Sequence, residues 1–584
     1  MMKRTSLFAC AAPSGAPCAI KENTGAILAV MQRAREQGAR VLVLPRLCIT
    51  SGSCGDLFRD DTLLSSSRLA LATIALASDD MLTCLGLPMK IENKVYDMCA
   101  FLRGGKVEGL VPFIDAPAPF ASGKDLRGGK KGAPDPGIRF KLGKKTVALY
   151  QGDGSLAADI YCYPALLSQY AGSGRQRLTD IAALSDKLDA VVLFANAGAA
   201  ESSTDMVYGG GCAAAKKGSI LHYIPPFESD SYMLVEGGEH GADLLTTDEE
   251  PDPRFPYVLA PRATWLRGCL EIPAHALETR IRRIRAQSVV VGVSGGLDSA
   301  MALLIARRAL DLCGMDKEAL IAVSMPGPGS GDATQQSARD LCSALGITLR
   351  EIPITGAVAR HLHDIGHSPD DHDAAYQNAQ ARERTQILMD LANMHGGIMA
   401  GTGDMSELAL GFTTFGGDHL SMYGVNAGLP KTVIRMVVQD IANNTERPAL
   451  KDALTAILRT PVSPELLPGG AQAQKTEDIV GPYELTDFYL WHYLESFASP
   501  ERLLSLARDA FKDKYTPDEL LTHMRGFFGR FFAGQFKRSC MPDGPQVLPV
   551  SLSPRGGLNM PSDADAALWL DAIDRLSEKE KQDA

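Results

Sequence analysis

Residues 294–299 read Ser-Gly-Gly-Leu-Asp-Ser, between the apolar run SVVVGV (Ser288–Val293) and the helix-like run AMALLIARRALDL. Two adjacent glycines let a backbone come close to an anion and turn its N–H groups toward it. A helix starting just beyond them adds partial positive charge. Ser294, Gly295, Gly296, Leu297, Asp298 and Ser299 therefore read as a phosphate loop for ATP. Asp298 would repel phosphate on its own, and it makes sense with a Mg2+ ion between the two. The loop lacks the GK[ST] ending of P-loop ATPases. A ligand-free Gly-rich turn is the alternative, and the full hexamer between strand and helix weighs against it.

A second polar loop, Gly401-Thr-Gly-Asp-Met-Ser-Glu407, follows the apolar run GGIMAG. A second carboxylate near Asp298 is what an octahedral ion on a triphosphate would need. The alternative is a helix start with acidic capping. Arg382 and Arg384 lie two apart in a helical run, so they do not share a face. One can meet a ligand while the other pairs structurally.

These loops need a scaffold. SVVVGV, ALIAVSMPG and TLREIPI read as strands, and AMALLIARRALDL and Ser337–Leu345 as helices. Such β–α alternation predicts a doubly wound parallel sheet. The first part also alternates, with strand-like runs at Arg40–Leu44, Val147–Tyr150 and Ala190–Phe194, and is predicted to be a layered α/β domain. The acid- and Pro-rich TTDEEPDPRFPYVLAP predicts an extended connection. The expected organisation is a domain over 1–245, a linker over 246–270, and a second domain over 271–584 whose helix starts near Glu271. The last hundred or so residues read as helical, with a frayed tip at EKEKQDA.

The 584 residues are 45% hydrophobic and 22% charged, a length for two or three domains with sizeable cores. A net charge of -10 argues against a general nucleic-acid binder, so none is expected as partner. The 12 cysteines form no CxxC pair and no zinc-spaced cluster, which predicts reduced thiols in the cytoplasm. No run approaches the roughly 20 apolar residues of a membrane helix. The apolar N-terminal stretch is short and broken by Pro and Gly, which disfavours a signal peptide.

GVSGGLDSA resembles the pyrophosphate loop of the ATP pyrophosphatases. Further motifs resemble one family of that group, the long glutamine-dependent NAD synthetases: YQNAQARERTQILMD, GTGDMSELALG, GDHLSMYGVNAGLPKT, SPELLP, QKTEDIVGPYELTDF, QFKRSCMPDGP and SLSPRG. The resemblance implies an adenine nucleotide α-hydrolase-like synthetase domain behind a nitrilase-like domain. It implies ATP-dependent amidation of deamido-NAD to NAD through an adenylated intermediate, releasing AMP and pyrophosphate. Thr402 would contact ATP, and Glu407 would hold Mg2+ or substrate. Asn378, Arg382, Arg384, Glu407, Asp418 and Lys537 would meet deamido-NAD, and Asp298, Glu407 and Lys431 would be catalytic. A lysine near the triphosphate would offset charge as pyrophosphate leaves. A homo-oligomer is also implied. One departure is MPGPGSGDAT (Met325–Thr334), where Pro328 stiffens a turn and alters contact with adenine.

The nitrilase-like domains of that family hydrolyse glutamine with a Glu–Lys–Cys triad. Here VLVLPRLCITSGSCGDLF places Arg46 at the Glu position, GLVPFIDAP places Phe113 at the Lys position, and VALYQGDG places Gln151 at the Cys position. Arg cannot serve as a general base. Cys48, Cys54 and Cys162 lie near in sequence but off the nucleophile position, and Lys124 is a substitute candidate for the lysine. The expected nitrogen donor is therefore ammonia, free or from a separate glutaminase partner. The alternatives are a rearranged glutaminase site and a non-catalytic assembly or regulatory subunit.

Overall fold

The fold is that of a computed structural model, which describes residues 7–126, 133–152, 156–236, 249–328, 331–368, 370–460 and 476–583. The motif SPELLP and the first two residues of QKTEDIV lie outside the described residues. The chain divides into two compact units on either side of Thr246, with residues 170–172 and 203–205 belonging to the second.

The first unit holds two six-stranded sheets. One is built from β1 (Leu7–Ala11), β2 (Val41–Val43), β3 (Leu82–Ile91), β4 (Lys94–Arg103), β5 (Lys106–Pro112) and β12 (Tyr232–Glu236), in the order β12-β1-β2-β3-β4-β5. The other runs β11-β10-β9-β8-β7-β6, from β6 (Phe140–Leu142), β7 (Lys145–Leu149), β8 (Ile160–Pro164), β9 (Val191–Ala195), β10 (Cys212–Lys216) and β11 (Ser219–Ile224). Side chains alternate across a strand. Phe8, Cys10, Val41 and Val43 face the second sheet, joining Leu149, Cys162 and Leu193 in one core. Ala9, Ala11, Leu42 and Leu44 face the opposite way, against Ile27, Met31 and Ile74 of helices α1 (Ile20–Glu36) and α2 (Asp61–Leu76). Helix α3 (Ser173–Lys187) covers the second sheet through Ile181 and Ala182. Strands buried on both faces read as continuous apolar runs, which is why RVLVL and AVVLF stand out in the sequence. The result is four layers, helix–sheet–sheet–helix.

In the second unit, helix α4 spans Arg262–Ile284. It starts before Glu271, so the extended connection ends at Pro261, the N-cap, rather than at residue 270. Trp265, Leu266, Cys269 and Ile272 bury one face, and this packing carries the helix through Pro273, whose missing N–H would otherwise favour an end.

A parallel sheet follows, as expected. Its strands are β13 (Val289–Gly292), β14 (Leu320–Ser324), β15 (Leu349–Glu351), β16 (Ile398–Gly401) and β17 (Tyr423–Gly424), in the order β15-β14-β13-β16-β17. Every neighbouring pair is parallel. Helices α5 (Leu297–Cys313), α6 (Asp332–Leu345), α7 (Thr355–Asp364), α8 (Ala374–Met394), α9 (Met405–Leu410), α10 (Lys431–Asn444) and α11 (Pro448–Arg459) surround it. The order reverses between β13 and β16. In open parallel sheets, ligands settle beyond the C-terminal strand ends at such a reversal.

The remaining helices are α12 (Thr476–Val480), α13 (Tyr483–Ser496), α14 (Pro500–Phe511), α15 (Pro517–Ala533), α16 (Gln535–Arg538) and α17 (Ala567–Asp583). The expected fraying at EKEKQDA is corrected: α17 stays helical to Asp583. Ion pairs of Glu580 with Arg508 and of Asp574 with Arg525 hold it, and the Trp569 ring packs 4.4 Å from Phe532.

Candidate active site

The loop after β13 is folded by its own side chains. Ser294 Oγ accepts the Gly296 N–H at 3.2 Å and lies 3.2 Å from Ser299 Oγ, and Ser299 Oγ donates to Gly296 O. Gly295 has φ +91, and a Cβ there would fall 1.9 Å from Thr334 O. Only glycine fits this close approach. Gly296 is the N-cap of α5, so Leu297, Asp298 and Ser299 form the helix's first turn.

The loop after β16 starts α9 through a capping box. Asp404 Oδ1 accepts Glu407 N–H at 2.8 Å, and the Glu407 carboxylate accepts Asp404 N–H. The acidic-capping alternative is thus true, and it coexists with a site. Asn426 links both loops, its Nδ2 donating to Asp298 O and Thr402 O at 2.9 Å each.

Lys431, the first residue of α10, extends between these loops. Its Nζ lies 2.6 Å from Asp298 Oδ2, 2.7 Å from Asp404 Oδ2 and 2.9 Å from Glu407 Oε1. The lysine is 3% exposed. Burial pushes the Asp404 carboxyl up strongly and Glu407 to about 7, with Lys431 opposing both shifts. Burial works against the Lys431 charge as well, but the three carboxylates outweigh it and hold the ammonium well above its ordinary range. The ligand oxygens of Asp298, Asp404 and Glu407 lie within 4.8 Å of one another. Asp298 Oδ1 is buried without a hydrogen-bond partner. Three carboxylates, one of them with an orphaned oxygen, suit Mg2+. Asp404 was missed in the sequence, where its capping role hid it beside Glu407.

Four of the five further positions implied for deamido-NAD meet on the segment after α9. Asn378 Oδ1 accepts from Thr414 Oγ1 at 2.8 Å, and Asp418 Oδ1 accepts from Thr414 N–H at 2.7 Å. Arg382 donates to Phe415 O, and Lys537 Nζ donates to Gly411 O and Thr413 O at 2.7 and 2.6 Å. Burial raises the Asp418 carboxyl and lowers the Lys537 ammonium. Arg384 goes elsewhere: its Nε donates to Met325 O, at the end of β14. The two arginines use different faces of α8, as their spacing predicts. The sequence offered no sign of Arg538, which is 1% exposed and donates to Leu408 O, Ala409 O and Phe531 O behind α9.

A family described as NAD synthase matches residues 270–514. The glutamine-dependent NAD(+) synthetase of Mycobacterium leprae is 31% identical, over 95% of this chain and 95% of that one. The chain belongs to the glutamine-dependent NAD(+) synthetase family. It is an NAD synthetase, a carbon–nitrogen ligase, which sets aside the non-catalytic alternative. The Xylella fastidiosa (strain Temecula1) enzyme of the same name is 26% identical over 83% of this chain and 88% of its own. Among solved structures, the Cytophaga hutchinsonii glutamine-dependent NAD(+) synthetase shares the fold with a TM-score of 0.79 at 20% identity, over 98% and 100% of the two chains. The Acinetobacter baumannii enzyme, solved with ADP, gives 0.65 at 18% identity over 94% and 97%. These full-length matches take in the layered first unit as well as the sheet domain.

In this NAD synthetase the three predicted triad positions do come together. The Arg46 guanidinium lies 4.1 Å over the Phe113 ring and pairs through Nε with Asp97 Oδ2. Gln151 Oε1 accepts from Ile114 N–H at 3.0 Å, and its Nε2 donates to Pro136 O. Asp97 is 1% exposed, and burial lifts its carboxyl to about 7 against the pull of Arg46. Burial disfavours the thiolate at two of the three cysteine candidates. Burial pushes Cys48 to about 12 and Cys54 far up, and Cys162 lies in the core between the sheets. Lys124 is exposed and pairs with Asp115 at 3.2 Å, outside this cluster.

Proposed function

We propose that the second unit activates the nicotinate carboxylate of deamido-NAD with ATP and then amidates it. A carboxylate oxygen attacks the α-phosphate, and pyrophosphate leaves. Ammonia then attacks the acyl carbon, and AMP leaves. The observation that carries this reading is Lys431 amid Asp298, Asp404 and Glu407, beside the Ser294–Ser299 loop at the sheet reversal. Ser294–Ser299 and Thr402 would bind ATP, with Arg384 at the β14 turn, and Asn378, Arg382, Asp418 and Lys537 would orient deamido-NAD. Asp298, Asp404 and Glu407 would hold Mg2+, which supplies charge neutralisation on the triphosphate. Lys431 would offset charge on the departing pyrophosphate, and such preorganised electrostatics is the largest catalytic term in most sites.

On the nitrogen donor, relatives covering 95% of the chain are named glutamine-dependent, and this favours glutamine over ammonia alone. The residues at 46, 113 and 151 pull the other way, since they supply neither base, cation nor thiol in the family's places. Glutamine use would then rest on a nucleophile elsewhere in the first unit. The reading keeps a cytoplasmic homo-oligomer, with sizing of the native mass as its check. Among the described residues, no helix is long and apolar enough to cross a membrane.

The test is NAD formation from deamido-NAD, ATP and Mg2+ with glutamine or ammonium chloride. Product with both, in a glutaminase-free preparation, supports a rearranged glutaminase site. Product with ammonium alone supports direct ammonia use. Product with neither overturns the amidation reading.

A further inference from the structure

Asp487 lies on α13, 1% exposed, outside the cluster just described. Its two oxygens bind two different helix starts. Oδ1 accepts the Ser406 hydroxyl, and Oδ2 accepts both the N–H of Thr432 at 3.0 Å and its Oγ1 hydroxyl at 2.7 Å. Ser406 Oγ in turn accepts the Lys431 N–H at 2.8 Å. Ser406 precedes Glu407 on α9, and Thr432 follows Lys431 on α10. One buried carboxylate therefore ties the backbone that carries Glu407 to the backbone that carries Lys431. Tyr257 closes the far side, its hydroxyl 2.6 Å from Thr432 Oγ1.

We propose that Asp487, acting through Ser406 and Thr432, is a positioning residue for Lys431 and Glu407. It fixes the spacing between the α9 and α10 starts, and so the 2.9 Å approach of Lys431 Nζ to Glu407 Oε1. The carboxylate suits this role because both of its oxygens accept, whereas an amide would turn one of them into a donor. The proposal rests on reading the Lys431 cluster as the reaction centre.

The experiment compares full-length wild type, Asp487→Asn, Ser406→Ala, the double variant and Lys431→Met. Each is assayed for kcat and KM in ammonium-driven NAD formation and for activation by Mg2+, with melting temperature alongside. Outer-shell partners of metal-site groups cost on the order of 10- to 100-fold when removed. Asp487→Asn and Ser406→Ala are each expected to lose kcat in that range and to need more Mg2+, with KM for deamido-NAD changed less. The double variant is expected to be no worse than the weaker single, since groups acting as one unit are non-additive. Wild-type kcat in Asp487→Asn and Ser406→Ala, with a lowered melting temperature only, overturns the proposal, as does a double variant whose kcat losses multiply. Full activity in Lys431→Met would instead overturn the reading of the centre itself. If Asp487→Asn does not fold, Ser406→Ala decides alone, because it deletes a single oxygen.

Discussion

Lys431 and Asp298 are 133 residues apart in the chain, yet Lys431 Nζ stands 2.6 Å from Asp298 Oδ2. The first residue of α10 thus reaches the first turn of α5, and Asp404 and Glu407 of the α9 cap close on the same ammonium. A buried lysine thus faces three carboxyl groups, two of which burial pushes toward their neutral forms. The partnerless Asp298 Oδ1 is where a divalent cation would meet the cluster.

Lys431→Met removes the compensating charge and leaves buried carboxylates facing one another. Breaking a buried ion pair from one side costs about 3–5 kcal/mol. The melting temperature is expected to fall accordingly at neutral pH, and millimolar Mg2+ is expected to restore part of it. NAD formation is expected to drop by about 100-fold or more. A variant that melts like wild type would contradict the charge arrangement.

The two loop glycines should separate folding from binding. Gly295→Ala forces a Cβ against Thr334 O at positive φ, so loss of soluble protein or a large fall in melting temperature is expected. Gly296 has negative φ, and a Cβ there meets only Ser294 Oγ at 3.4 Å. Gly296→Ala is expected to melt like wild type while its KM for ATP rises, because the methyl is added to the proposed phosphate loop where no other protein atom lies within 4 Å. An unchanged KM would show that ATP does not approach this backbone.

Much of this site could be read from the chain. The hexamer at 294–299 joins a buried strand to an apolar helix, and its last three residues become that helix's first turn. The motifs carrying Glu407 and Lys431 identified them through resemblance alone. Asp404 was passed over because an acid at an N-cap already has a sufficient local reason to be there. Asp487 was invisible because its partners are backbone and hydroxyl groups 55 and 81 residues away. In the first unit, RVLVL and AVVLF announced themselves, whereas MCAFL of β4 (Met98–Leu102), just as apolar and buried on both faces, was passed over. The start of α4 was misplaced: Pro273 suits the first turn of a helix beginning near Glu271, until the burial of Trp265 and Leu266 is known.

Asp97 should leave a pH signature in the first unit. Its carboxyl holds a proton to about 7 in the folded chain, against an ordinary 3.8, mainly because it is buried. Between those values the folded chain binds more protons than the unfolded one, so stability falls as pH rises from about 4 to about 7 and then levels. The difference in melting temperature between wild type and Asp97→Asn, followed over that range, is expected to shift toward the variant as pH rises. A constant difference would mean that Asp97 is ionised throughout.

Arg538 anchors the far end of α9. Arg538→Ala leaves the carbonyls of Leu408, Ala409 and Phe531 without this donor, at about 1–3 kcal/mol for each that stays unsatisfied. Chemical denaturation is expected to show a loss of several kcal/mol. Arg538→Lys is expected to recover little, since a single ammonium cannot span the three directions of the guanidinium fork. Recovery to wild-type stability by lysine would refute that geometry.

The positions of these groups along the chain also bear on its synthesis. Asp298 leaves the ribosome long before Lys431, and Asp487 later still. A nascent chain that has emerged only as far as α9 would carry Asp298, Asp404 and Glu407 with no lysine to face them. Those acids would gain their shared lysine only once α10 had been made, and the Asp487 tie only once α13 had followed. A chain terminated before α10 would therefore carry the acidic half of the cluster without its basic half.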